Sequence, residues 1–340
     1  MKNINRVLSG ITPSGGALHI GNYFGAVKPQ MELQKKIDET YYFIADLHAL
    51  TTIQNKDILE KNIESVILDY LSLGLDPERS VFFRQSDVVE HSQLSVVLSN
   101  FVSLGQMKRM HAFKDKLQKG EKPDFINMGL FNYPILMAAD ILLYKPDGVP
   151  VGEDQRQHIE ITRDIADKLN KVIGKEIFVL PEPLISKSVG RVVGTDGERK
   201  MSKSLGNVIG IFENEEVIKK QIMSCVTDPN RKKATDSGRV EGNPVFIFHD
   251  LINDNKEEVE DLKNRYREGR VGDVEVKEKL FEAHKRFFQG PREKRRELEN
   301  NLGLVKEILR KGCERASLVA SKTMGKVYEA IGIKNNLSVK

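Results

Sequence analysis

Along roughly the first two hundred positions, short apolar runs alternate with longer amphipathic ones; after that only the amphipathic kind remains. Arg6–Gly10, Tyr41–Leu47, Ser80–Gln85 and Gly148–Gly152 are compact apolar runs closed by turn or polar residues, and each reads as a buried strand. Between them, segments opening at His19, at about Asp57 and at Glu153 carry the three-to-four spacing of helices. Strands and helices alternating at this interval predict βαβ units and a parallel sheet, an α/β architecture. From His91 to Lys119 the pattern is helical, broken near Gly105, with no strand between the pieces, so a helical insertion over about 88–132 is expected. Beyond Ser204 the segments Glu213–Ser224, Lys256–Glu268, Val274–Phe288, Pro291–Asn300 and Val305–Ile331 all read as helices, with Gly312 and Gly325 as points where the last could be interrupted. Two domains follow: 1–205, α/β, and 206–340, all-helical.

Composition narrows the class. A chain of 340 residues, 39% hydrophobic and 30% charged, can bury a substantial core. No run approaches the ~20 apolar residues that cross a bilayer, and Met1–Arg6 lacks the apolar core of a secretory leader. Cys225 and Cys313 are far apart and outside any Cys/His cluster, which argues against a metal site or disulfide framework and for the cytoplasm. The net charge of +4 is uneven: Pro291–Lys340 holds twelve Lys/Arg against six Asp/Glu. A polyanionic partner at the C-terminal part fits that asymmetry, as do helices with solvated basic faces.

Three stretches carry candidate chemistry. In Gly194–Asn207, Lys200 and Lys203 alternate with Ser202 and Ser204 between glycine-rich ends, a form suited to gathering mobile charge around a triphosphate. Near the N-terminus the first strand runs into Thr12-Pro13-Ser14-Gly15-Gly16, and His19-Ile20-Gly21-Asn22 opens a helix. A strand, a glycine-rich turn and a helix N-terminus form a phosphate cradle, although neither Gly-Lys-Ser/Thr nor GxGxxG is present. Third, Asp140 is the one carboxylate in the apolar helical run Tyr133–Tyr144, with Met137 one turn earlier. A buried carboxylate must be paired; it is either a structural acceptor or one aimed at a ligand's N–H or O–H. At the end of the fourth strand, Val151-Gly152-Glu153-Asp154 is placed like a ribose-binding acidic turn, and His158 reads as a solvated partner of Asp154.

Lys200-Met201-Ser202-Lys203-Ser204 and Pro13-Ser14-Gly15 with His19-Ile20-Gly21-Asn22 resemble the two signatures of class I aminoacyl-tRNA synthetases. With Met137–Tyr144 and Val149–Gln155 between them, the chain is similar over most of its length to bacterial-type tryptophanyl-tRNA synthetases. That resemblance implies a Rossmann-like nucleotide-binding domain and a helical domain that reads the tRNA anticodon. It implies ATP among Thr12, Pro13, Ser14, His19, Gly21, Asn22, Gly152, Glu153, Asp154, Val192 and Lys200–Ser204, with Mg²⁺ carried by ATP. Lys200, Lys203 and Ser204 would be catalytic, and Met201 and Ser202 would close over the phosphates with them. L-Tryptophan would meet Asp140, Met137, Tyr133, Gln155, His48 and Val151; tRNA(Trp) and a second copy of the chain are the implied partners. The sequence departs from the family loop in having Thr12 where a glutamine is usual and one extra residue before His19. A tyrosine-specific enzyme, a non-enzymatic tRNA-binding paralogue and a cofactor nucleotidyltransferase are the alternatives.

Overall fold

The computed structural model describes residues 4–118, 120, 122, 126–185 and 192–333, with only the backbone of 112, 116 and 154. Five strands, β1 (Arg6–Ile11), β2 (Glu39–Ile44), β3 (Ser80–Arg84), β4 (Gly148–Val151) and β5 (Glu182–Ile185), form one parallel sheet in the order β3-β2-β1-β4-β5. The chain leaves β1 toward β2 on one side and reaches β4 on the other, so the carboxyl ends of β1 and β4 flank the crevice where such sheets bind ligands. Both faces are covered, which is why the strands read as continuous apolar runs. Tyr42 and Phe82 enter one core with Leu18, Ile20, Phe24 and residues of the helices beyond 210. Leu8, Tyr41, Phe43 and Phe83 enter the other with the helices Met128–Tyr144, Arg156–Ile173 and Leu302–Ala330.

The four expected strands are present. The segment after His19 is helical in three parts: Ile20–Asn22, a π-helical turn Tyr23–Val27, and Lys28–Leu33. Three features differ from expectation. β5 carries Pro183 and no apolar alternation; it is an edge strand, where a missing N–H is tolerated. The insertion (Glu90–Ser99, Leu104–Lys108, His111–Gln118) is broken near Gly105 but not at it, the glycine lying inside the second helix. Ser103 and Gln106 form a capping box that starts that helix, so the break falls just before it. Finally, Pro244–Ile252 is a helix whose apolar run could equally be a buried strand; Asn243 caps it by accepting from Val245 N, and Pro244 occupies its first turn.

Leu302–Ala330 runs unbroken through both glycines. A Cβ on Gly312 would lie 1.8 Å from the carbonyl oxygen of Phe82, so this glycine lets the helix press against the backbone of β3. A Cβ on Gly325 would meet no other part of the protein within 4 Å beyond its own turn of helix. Gly312→Ala should therefore destabilise the chain by about 1–3 kcal/mol through overpacking, whereas Gly325→Ala should raise stability by up to ~1 kcal/mol from helix propensity. Thermal unfolding of both variants checks this, and equal midpoints would contradict the packing role of Gly312.

Candidate active site

β1 ends at Ile11 and hands the chain to a loop held from beneath by two buried side chains of the Lys56–Ser72 helix. Asn62 accepts from Gly16 N at 2.9 Å and Asp69 from Leu18 N at 2.6 Å. His19 then caps the next helix: its Nδ1 accepts from Asn22 N at 3.2 Å, and Asn22 Oδ1 accepts from His19 N at 3.1 Å. Asn22 thus closes a reciprocal cap. With Nδ1 an acceptor, Nε2 carries the ring hydrogen. Burial, reinforced by the charges of Lys203 and Lys200, pushes the imidazole down to about 4 and keeps it neutral.

The lysine-rich segment is tied to this loop by backbone. Ile20 N donates to Ile209 O at 3.0 Å, Ile211 N donates to Leu18 O at 3.2 Å, and His19 pairs with Gly210 as an antiparallel bridge. A Cβ on Gly21 would meet the His19 ring and Met201 Cβ at 3.0 Å, so the two signatures touch at this glycine. Lys203 Nζ donates to Gly15 O, and burial lowers the ammonium pKa. Asn207 organises the remainder, accepting from Ser202 N at 2.8 Å and donating to Asp196 Oδ2 at 2.9 Å. Met201 N donates to Val192 O at 3.1 Å, and both side chains are buried. Ser202 and Ser204 hydroxyls lie 3.0 Å apart.

Helices of the C-terminal part hold the same junction from behind. His284 Nε2 donates to Gly210 O at 2.9 Å, and Arg292 donates to Ile211 O and Glu213 O at 2.8 and 2.7 Å. Arg295 pairs with buried Asp69 and stacks its guanidinium over Phe212 at 4.9 Å. Asp69 therefore links a helix of the C-terminal part to the N–H of the residue before His19.

Beside the junction, at the β1/β4 crevice, is a cavity of about 370 Å³. Thr12, His48, Tyr133, Met137, Asp140, Val151, Gly152 and Gln155 all line it, with Gly10, Gln30, Phe43 and Val149. Asp140 is 1% exposed and fully bonded on its inner side. Its Oδ1 accepts from Gln85 Nε2 at 2.7 Å and faces His91 Nδ1 at 2.6 Å; its Oδ2 faces His48 Nε2 at 2.8 Å. Burial alone would raise this carboxyl, but the bonds to His48 and His91 outweigh it and hold it at about 2, an ionised acceptor. Met137 is partly buried against the same core, and the Tyr133 hydroxyl is bonded to His158 Nε2.

His158 is thus not solvated, and its relation to Asp154 lies outside the described residues. The amphipathic helix Arg156–Ile173 turns it inward with Ile161, Thr162 and Ile165, and it is buried. Glu153 is exposed and bonded to Arg156 Nε at 2.7 Å; Asp154 contributes only its backbone, in the turn Glu153–Gln155, its side chain lying outside the described residues. Pro13, Ser14, His19, Gly21, Asn22, Val192 and Lys200–Ser204 lie in the joined segments rather than in the cavity wall. Gln85, His91 and Tyr144 escaped the sequence reading. The signal that could have found them was the requirement that a carboxylate in an apolar helix have partners. Among the described residues no cluster of three His, Cys, Asp or Glu side chains could hold a metal ion.

His19 and His284 are both lowered to about 4, chiefly by burial. The unfolded chain binds their protons below about pH 6.5 while the folded chain does not until near pH 4. Their contribution to stability is complete above 6.5 and is lost as pH falls from 6.5 to 4. Urea midpoints across that range should fall, and His284→Gln, which keeps a donor for Gly210 O without titrating, should flatten part of the slope. Identical slopes for parent and variant would contradict it.

A family model described as tRNA synthetases class I (W and Y) matches residues 2–289. The tryptophan–tRNA ligase of Fusobacterium nucleatum is 44% identical over 98% of this chain and 100% of its own length. The crystal structure of the Campylobacter jejuni tryptophanyl-tRNA synthetase complexed with ADP and tryptophan has a TM-score of 0.88 at 45% identity, covering 96% of this chain and 99% of that one. The Mycoplasma pneumoniae enzyme follows with a TM-score of 0.77 at 30% identity, over 97% and 98% of the two chains. The chain belongs to the class I tRNA synthetases of the tryptophan and tyrosine family, in its bacterial-type tryptophanyl branch.

Proposed function

We infer that this chain is a tryptophan–tRNA ligase, which activates L-tryptophan with ATP to tryptophanyl-adenylate and pyrophosphate and then passes the acyl group to the 3′ end of tRNA(Trp). The observation that carries the reading is Asp140: an ionised, donor-supported carboxylate in the wall of an apolar cavity, next to two joined anion-binding segments. A cavity with these walls suits a bicyclic aromatic side chain, and the Asp140 carboxylate in its wall suits an indole N–H. In this reading Met137 packs on the ring, while Tyr133 and Gln155 meet the amino acid's amino and carboxylate groups. His48 and Val151 complete the pocket.

The chemistry needs little from the protein besides alignment. An α-carboxyl with a pKa near ~3.5 is ionised at neutral pH and attacks the α-phosphorus without a general base. The bond to the pyrophosphate oxygen breaks as the acyl–phosphate bond forms, and the developing charge falls on phosphorus and leaving-group oxygens. The Gly15 N–H, the N–H of His19 Nε2 and the cap at Gly21 and Asn22 form the cradle, with Thr12, Pro13 and Ser14 shaping the turn that presents them. Gly152 and the Glu153–Asp154 turn face the ribose, beside Val192 and Met201. Lys203 now rests on a backbone carbonyl; exchanging it for a phosphate oxygen brings Lys203, with Lys200, Ser202 and Ser204, over the leaving group. Mg²⁺ would arrive with the nucleotide, because a magnesium ion on a triphosphate needs no dedicated protein carboxylate cage.

The basic C-terminal helices, with twelve Lys/Arg after Pro291, are the surface for tRNA, and a homodimer in the cytoplasm is the working form. Pyrophosphate exchange into ATP, run without tRNA and with tryptophan, tyrosine or neither, tests the activation step. Tryptophan alone should support it; exchange with tyrosine alone would overturn the reading of Asp140, and exchange with neither would overturn the enzyme itself. Lys200→Ala and Lys203→Ala should each slow exchange about 10²–10³-fold with little change in tryptophan affinity, and unaltered rates in both would remove the lysines from the reaction.

A further inference from the structure

Behind the cavity lies a buried histidine that no step of the reaction touches. His91, in the Glu90–Ser99 helix, is fully enclosed, with the rings of Phe43, Phe83 and Tyr144 centred 5.8, 6.0 and 5.5 Å away. Both ring nitrogens are engaged: Nδ1 is 2.6 Å from Asp140 Oδ1, and Nε2 is 2.8 Å from the Tyr144 hydroxyl. An ionised carboxylate only accepts, so the nitrogen facing it carries a hydrogen. In the neutral ring Nε2 is then the acceptor, and the Tyr144 O–H donates to it. This hydroxyl is kept protonated by burial and by the charge of Asp140. A tyrosine fixed in the same helix as Asp140 therefore selects the tautomer of His91.

The consequence falls on the two oxygens unequally. Oδ1 receives two donors, His91 and Gln85, and neither of these approaches from the cavity side as His48 does. Oδ2 is shared with the cavity-lining His48 alone and keeps acceptor capacity. We propose that His91 is the specificity-setting positioning residue of this pocket. By occupying Oδ1 from behind, locked by Tyr144, it presents Oδ2 as a fixed acceptor and makes the site demand an aromatic amino acid with a ring N–H. The proposal rests on the role given to Asp140 above and extends it to a residue that does not touch the substrate.

The two amide side chains separate the two nitrogens of the ring. His91→Asn places an N–H close to where Nδ1 stood and keeps a donor to Asp140. His91→Gln moves the amide toward Tyr144 and withdraws that donor. The readout is kcat/KM in pyrophosphate exchange for tryptophan relative to the analogue in which sulfur replaces the indole N–H. The parent should prefer tryptophan about 10–100-fold. His91→Asn should keep that ratio within about threefold, and His91→Gln should lower it about tenfold through KM for tryptophan, with kcat and use of the analogue nearly unchanged. An unchanged ratio in His91→Gln, or an equal loss for both substrates, overturns the proposal and leaves His91 as packing. A parent that does not discriminate overturns the reading of Asp140 and the proposal with it, a result distinct from a discriminating parent whose preference survives His91→Gln. Should His91→Gln not fold, the ratio is read on Tyr144→Phe, where a fall of about threefold is expected and no change overturns the assignment.

Discussion

Two backbone hydrogen bonds, from Ile20 N to Ile209 O and from Ile211 N to Leu18 O, bring together segments that are remote in sequence and make one site of them. Neither segment is positioned by the sheet alone. The first is set by Asn62 and Asp69 beneath it, the second by Asn207 within it and by His284 and Arg292 behind it. The link is made by main-chain groups, while the side chains of Leu18, Ile209 and Ile211 enter the core beside it. The link depends on the packing that keeps the two backbones in register. That packing is shared: the core on this face of the sheet is continuous from Leu18 and Tyr42 to Phe281 and Val305. The division into a catalytic and a helical part is therefore one of sequence order more than of independent cores.

The opposite face is organised around a polar island. Asp140, His91, Gln85, His48 and Tyr144 form a bonded chain inside an otherwise apolar core. Such networks are stable only when every member is satisfied, because an unpartnered buried polar group costs more than the bond it lost contributed. The island is closed on the strand side and open on one carboxylate oxygen. That asymmetry lets Asp140 serve as a structural acceptor on one oxygen while the other stays available for the ligand of the proposed function.

What was legible in the sequence follows from which forces are local. The strands β1 to β4 announce themselves because a parallel sheet buried on both faces demands unbroken apolar runs, and the loops at their ends carry the signatures. β5 was hidden, since its pairing with β4 comes from across the sheet and Pro183 masks it. Pro244–Ile252 was not among the expected helices, because so apolar a run shows little helical period. Gly312 read as a helix breaker; its reason is the backbone of Phe82, which no local window contains. Likewise Thr12, His48, Tyr133, Met137, Val151 and Gln155 were found by motif and do line one cavity, whereas His91 and Gln85 belong to other elements and meet Asp140 only in three dimensions. His158 failed in the opposite direction: its polar surroundings in sequence suggested solvent, but it falls on the buried side of its own helix.

The contact between Leu302–Ala330 and the sheet also bears on the order in which the protein can be made. Arg315 donates to Ser80 O across 235 positions, and Ala316, Ala320 and Met324 cover the face that carries Val81 and Phe83. A nascent chain that has emerged only as far as the preceding helix already contains both signatures and every cavity-lining residue. It still exposes that strip of the sheet to water and to neighbouring chains. Synthesis thus passes through a stage in which the chemistry is encoded but the β3 face is adhesive, and the late helix is the piece that seals it.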